Sequence, residues 1–102
     1  MKTYLFNALA NSTRYDLFML LFKYRVLTLA ELMQAFSKPR STLRHHLGLL
    51  IDAGLVLSYI PVGKREAVYT LNLIGIDKLI EELMEIRGVV DTWRVANTAA
   101  AV

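Results

Sequence analysis

Apolar residues recur along this chain first with a helical period, then with an alternating one, and then with a helical one again. Between Ser12 and Tyr24 the residues Tyr15, Phe18, Met19 and Phe22 are spaced as on one helix, with Asn11 or Ser12 as its N-cap. A shorter helical stretch, Lys2 to Ala10, precedes it. Thr28 opens the run TLAELMQAF, where Thr28 and Glu31 form a capping-box pair and Leu29, Leu32, Met33 and Phe36 recur at helical intervals. A turn of Ser37, Lys38 and Pro39 follows, and then a helix predicted from about Arg40 to Ala53, closed by Gly54 at a left-handed C-cap.

After Gly54 the period drops to two. Leu55 to Ile60 and Ala67 to Leu71 are short β-branched and aromatic runs joined by Pro61-Val62-Gly63-Lys64-Arg65, the pattern of a β-hairpin with a basic tip. From Ile74 the helical period returns. Ile76, Leu79, Leu83, Ile86, Val90, Trp93 and Asn97 are spaced alternately three and four apart, a heptad seam of about three repeats. Gly88 weakens the middle of that helix by roughly 1 kcal/mol, and the closing ANTAAAV has no anchor and is expected to fray.

Composition narrows the classes. At 102 residues the chain is one small domain without room for a cofactor domain beside a substrate domain, and with no cysteine it has no disulfide, thiolate metal site or cysteine nucleophile. No apolar run approaches the roughly 18 residues of a spanning helix, and Asn7 and Asn11 interrupt any secretory signal; a cytoplasmic protein without membrane association is expected. The apolar fraction, 55%, exceeds what one small monomer needs to bury.

The net charge of +3 is unevenly distributed. Residues 1–37 carry +2, residues 38–65 carry +4, and residues 66–102 carry −3. A basic centre beside an acidic final helix suggests polyanion binding in the middle and a separate role for the end.

Two helices joined by a short turn and followed by a basic hairpin form the layout of a winged helix-turn-helix, in which the helix after the turn reads DNA. On a helical wheel Leu43, Leu47, Leu50 and Ile51 form the buried stripe of that helix. Ser41 and His45 lie opposite, Thr42 and His46 flank one side, Arg44 the other, and Arg40 sits in the first turn. These groups donate to phosphate oxygens or base edges; for His46, at the helix edge, a phosphate or structural contact is expected. Asp52 repels phosphate, so the helix is expected to enter a groove by its N-terminal half, where the partial positive charge of the helix end also lies. Lys38, Lys64 and Arg65 add backbone contacts, giving a DNA-binding set of Lys38, Arg40, Ser41, Thr42, Arg44, His45, His46, Lys64 and Arg65.

The stretch Thr28 to Val56 resembles the helix-turn-helix of the ArsR (arsenical-resistance repressor) family, with His46-Leu47 and Ala53-Gly54-Leu55-Val56 matching the end of its pattern. Leu9-Ala10-Asn11-Ser12-Thr13-Arg14 is similar to the family's helix opening, and Tyr69-Thr70-Leu71 to the end of its wing. The resemblance spans about residues 5–87 and implies a winged-helix transcriptional regulator. The chain departs from the family's metal sensors, which use cysteines near the recognition helix or Asp and His ligands on the last helix. It has no cysteine and no histidine on its last helix, and adjacent His45 and His46 point about 100° apart, unable to chelate one ion. No metal and no cofactor are expected. Pro39 stands where the family has a capping serine, which shifts capping to Ser37.

Catalysis finds no support: Glu81, Glu82 and Glu85 lie off the heptad seam with no histidine or serine beside them, and there is no glycine-rich phosphate loop. The expected fold is mainly α with a small β-hairpin, a winged helix-turn-helix with a C-terminal dimerisation helix. Residues 1–73 form the DNA-binding domain, 74–96 the pairing helix and 97–102 a frayed tail. The expected protein is a homodimeric, sequence-specific regulator, a repressor bound to double-stranded DNA, with Leu5, Leu9, Ile76, Leu79, Leu83, Ile86, Val90 and Trp93 at the dimer interface. The alternative is a winged-helix module that docks a protein partner and does not bind DNA.

Overall fold

A computed structural model describes residues 3–100. Lys2, the first residue of the expected first helix, and residues 101–102 of the expected tail lie outside the described residues. The element order is α1 (Thr3–Leu9), α2 (Ser12–Tyr24), β1 (Val26–Thr28), α3 (Leu29–Ala35), α4 (Arg40–Asp52), β2 (Val56–Tyr59), β3 (Val68–Leu71) and α5 (Leu73–Ala100). The helix-turn-helix is α3–α4, and the hairpin is β2–β3.

Local chemistry accounts for the boundaries. Asn11 is the N-cap of α2, its side chain accepting from the Arg14 N–H at 3.2 Å. The capping box is complete on α3: Glu31 N–H donates to Thr28 Oγ1 and Thr28 N–H donates to Glu31 Oε1. At the start of α4 the expected cap fails. Pro39 is the N-cap residue and no side chain caps this end, so Ser37 does not take that role. Proline instead fixes φ at −60° and its carbonyl receives the Leu43 N–H at 3.1 Å, so the chain is set for the first turn without a side-chain acceptor. Ala53 closes α4, and Gly54 follows with φ +79°, the left-handed position expected for it.

The sheet has one strand more than the hairpin. β1 pairs antiparallel with β3, which lies between β1 and β2, with Leu27 opposite Tyr69 and Ser58 opposite Tyr69 on the other side. Three residues between two helices carry too little alternation to be seen as a strand, and Thr28, which ends β1, is also the N-cap of α3. The junction is held by Thr70, whose hydroxyl donates to the Arg25 carbonyl at 2.8 Å. Arg25 itself has φ +68°, unfavourable for a side chain with a Cβ, and its N–H is bonded to the Leu21 carbonyl at 2.8 Å.

The core lies where α1, α2, α3 and α4 meet one face of the sheet, and leucine dominates it: Leu5, Leu17, Leu21, Leu32, Leu43, Leu47, Leu50 and Leu55 are among its fully buried side chains. In α4 the stripe Leu43, Leu47 and Leu50 is buried and Ile51 is half-buried, as the wheel predicts. In α2 the face differs from the expected one. Leu17, Phe18 and Leu21 turn inward, while Tyr15, Met19 and Phe22 are about half exposed. α2 is apolar nearly all round, so its period does not determine which face wins; Phe18 packs edge-on against Phe22 at 5.0 Å between ring centres and bridges the two faces.

α5 is the outlier in shape. Its 28 residues project from the domain and account for a radius of gyration of 17.7 Å and a longest dimension of 65 Å. A compact chain of this length has a radius near roughly 13 Å. Only its first turns are rooted: Ile76 and Leu79 belong to the core. These two and Leu5, all expected at the dimer interface, are buried in the chain's own core. Leu9 is half-buried against the same core. The rest of the seam is different: Leu83, Ile86 and Trp93 are exposed and Val90 is half-exposed. The helix continues to Ala100, past residue 97 where the sequence predicts fraying, in keeping with alanine having the highest helix propensity.

Candidate nucleic-acid interface

The turn between α3 and α4 runs from Phe36 to Pro39. Phe36 is half-buried against the core and pins it, and the Lys38 N–H closes back on the Phe36 carbonyl at 2.9 Å. With the leucine stripe anchoring α4 beneath, the remaining faces are fixed. Lys38, Arg40, Ser41, Arg44 and His45 are exposed and Thr42 is half-exposed, so six of the nine expected DNA-binding residues reach solvent in or just before the N-terminal half of α4. Asp52 is also exposed, at the opposite end of the helix. The positive end of the helix dipole and three cations therefore sit together, away from that carboxylate.

The wing contributes a second basic point. Lys64 N–H donates to the Pro61 carbonyl at 3.0 Å, and Gly63, with φ +79°, makes this tight turn possible. Lys64 and Arg65 beside it are exposed. The outer surface of the wing is also apolar: Leu57, Tyr59 and Ile60 are exposed and Val62 at the tip is completely so.

His46 is set apart from the other eight. It is half-buried, and its Nδ1 lies 3.2 Å from an Arg14 guanidinium nitrogen. A guanidinium only donates, so Nδ1 accepts and the ring proton sits on Nε2. Burial first, then the positive charges of Arg14, His45 and Lys38, lowers the His46 pKa from its ordinary 6.5 and favours the neutral ring. The same Arg14 donates to the Ala8 carbonyl at 2.7 Å and the Asn7 carbonyl at 3.3 Å, capping the end of α1. Arg14 thus ties α1, α2 and α4 together, and His46 is the α4 end of that tie. Sequence reasoning missed this role of Arg14; the only signal was its place in the opening Asn-Ser-Thr-Arg of α2.

Among the described residues no group of three or more His, Asp or Glu side chains converges as a metal site would, and no helix is long and apolar enough to cross a membrane. His45 and His46 rings are 5.6 Å apart and tilted by 56°.

Comparison with known proteins agrees with this arrangement. A family profile described as a helix-turn-helix domain matches residues 9–59, from the end of α1 through β2. No protein of curated function matches the sequence. Among solved structures, an ArsR-like transcriptional regulator from Rhodococcus sp. RHA1 superposes with a TM-score of 0.80 at 26% identity, covering 97% of this chain and 88% of that one. A possible transcriptional regulator for arsenical resistance gives 0.71 at 28% identity, with 89% and 97% covered. HlyU from Vibrio cholerae gives 0.66 at 27% identity, with 82% and 88% covered. Family and fold are those of DNA-binding transcriptional regulators and not of enzymes. The chain belongs to the helix-turn-helix domain family, as an ArsR-like winged helix-turn-helix protein.

Proposed function

We propose that the protein is a homodimeric, sequence-specific transcriptional regulator that represses by occluding a promoter. α4 enters the major groove by its N-terminal half, and Lys64 and Arg65 of the wing grip the adjacent backbone. One observation carries this reading: burial of Leu43, Leu47 and Leu50 turns Arg40, Ser41, Arg44 and His45 outward on the most basic part of the chain. Pairing runs through the outer part of α5, where Leu83, Ile86, Val90 and Trp93 continue the heptad beyond the core. Two-fold pairing presents two α4 helices to successive major grooves, so the site is pseudo-palindromic. Its partner being DNA, the protein works in the cytoplasm.

Affinity for duplex DNA measured from about 50 to about 200 mM salt tests the reading, with a slope near about 0.9 log unit per phosphate contact. A flat response overturns it. The exposed apolar wing favours a second reading, a module docking a protein partner through Leu57, Tyr59 and Val62. The double substitution Arg44→Ala, His45→Ala separates the two: a regulator keeps its fold and loses DNA binding, while a docking module keeps its partner.

A further inference from the structure

A concavity among the described residues lies away from the basic surface, where four helices meet. Its volume is about 550 Å³. α1 contributes Leu5 and Ala8, α2 Arg14, the end of α4 Leu49 and Asp52, and the second turn of α5 Lys78. That size and mixture, with polar Asn7, Arg14, Asp52, Asn72 and Lys78 beside an apolar remainder, suits a small molecule that is itself part polar and part apolar. Its walls are fixed in advance. Gly54 and Gly75 bring the end of α4 and the start of α5 into backbone contact, so close that a Cβ on Gly75 would run into the Gly54 carbonyl oxygen. The Asn72 N–H adds a bond to the Leu55 carbonyl at 2.9 Å. A cleft held this way loses little conformational freedom when it is filled.

Charge selects the ligand class. The lining holds two cations, Arg14 and Lys78, against one carboxylate, Asp52, a net of +1. The half-buried Arg14 guanidinium has three acceptors, the Ala8 and Asn7 carbonyls and His46 Nδ1, all of them neutral. Three neutral acceptors meet its five N–H donors and no carboxylate pairs with it: among the described residues the ion pairs seen join Arg87, Asp91 and Arg94, far along α5. A partly desolvated cation without a counter-charge is the feature an anion completes. We infer that this cleft binds a small organic anion with an apolar body, an aliphatic or aromatic carboxylate or sulfonate. The charged end sits with Arg14 and Lys78 and the body against Leu5, Ala8 and Leu49. The inference does not rest on DNA binding, and its test contains no DNA.

The test is a fluorescence titration of the full chain with anilinonaphthalene sulfonate, an apolar organic anion, with benzoate and octanoate as competitors. Saturable binding of one probe per chain is expected, competed by both carboxylates. Lys78→Glu weakens it about tenfold and Asp52→Asn tightens it a few-fold, the signs set by Coulomb interaction across a partly wet cleft. Both residues are exposed, so the fold survives, which circular dichroism verifies. Arg65→Ala, on the wing, leaves the affinity unchanged. Absence of saturable binding overturns the inference. So does binding that ignores both Lys78→Glu and Asp52→Asn yet disappears with Leu83→Glu, because the dye is then on the bare face of α5.

Discussion

Because the fold holds the His46 pKa down, the folded chain binds fewer protons than the unfolded one between the lowered pKa and 6.5. The contribution of this residue to stability is complete above that ordinary value and is lost as the pH falls from there through the lowered one. Urea unfolding at about pH 7.5 and about pH 5.5 measures the effect. A His46→Gln variant, which keeps an acceptor for Arg14 and does not titrate, gives a flatter profile. The glycines of α5 respond in opposite directions to the same change. Gly88 is exposed, with nothing near where a Cβ would stand, so Gly88→Ala stabilises by about 0.5–1 kcal/mol through helix propensity. Gly75→Ala forces a Cβ onto the Gly54 carbonyl, and since backbone must move to admit it, a loss of about 3 kcal/mol in thermal or urea unfolding is expected.

At the level of elements, legibility follows the strength of local signals. α3 has a capping box and α4 a glycine stop and a clean leucine stripe, and their spans are readable to within a residue or two. β1 is not readable, because a three-residue strand is defined by its partner β3 and not by its own alternation. The inward face of α2 escapes periodicity because leucines and aromatics surround that helix, and only packing decides between them. All nine expected DNA contacts are exposed or half-exposed; what the sequence does not show is the partner of His46, Arg14, 32 positions away, a pairing that no local pattern contains. The wing has its own measurable share. Removing Lys64 and Arg65 together reduces the salt slope of DNA binding by about 2, one unit for each lost phosphate contact, and weakens binding alike on all sequences.

For the whole molecule, the division of α5 into a rooted part and a projecting part sorts its substitutions. Leu79→Glu buries a charge in the core and unfolds the chain, whereas Leu83→Glu lies on an exposed face and leaves the fold intact. Light scattering at micromolar concentration distinguishes the outcomes: if the outer seam pairs two copies, Leu83→Glu yields a folded monomer, and if the wild type is itself monomeric the seam is not an interface. The apolar excess in the composition then corresponds to side chains along α5 that one copy leaves wet. Geometrically, the contact between Gly54 and Gly75 fixes the angle between the tip of α4 and a long arm, α5 from Gly75 to Ala100. At about 1.5 Å of rise per residue the long arm measures roughly 38 Å, so each difference of about 5° in that angle places its far end about 3 Å away. In a pair of chains joined through that arm, that difference carries into the distance between the two α4 helices. The spacing of DNA half-sites such a pair accepts is then governed by the angle at two residues that have no side chains.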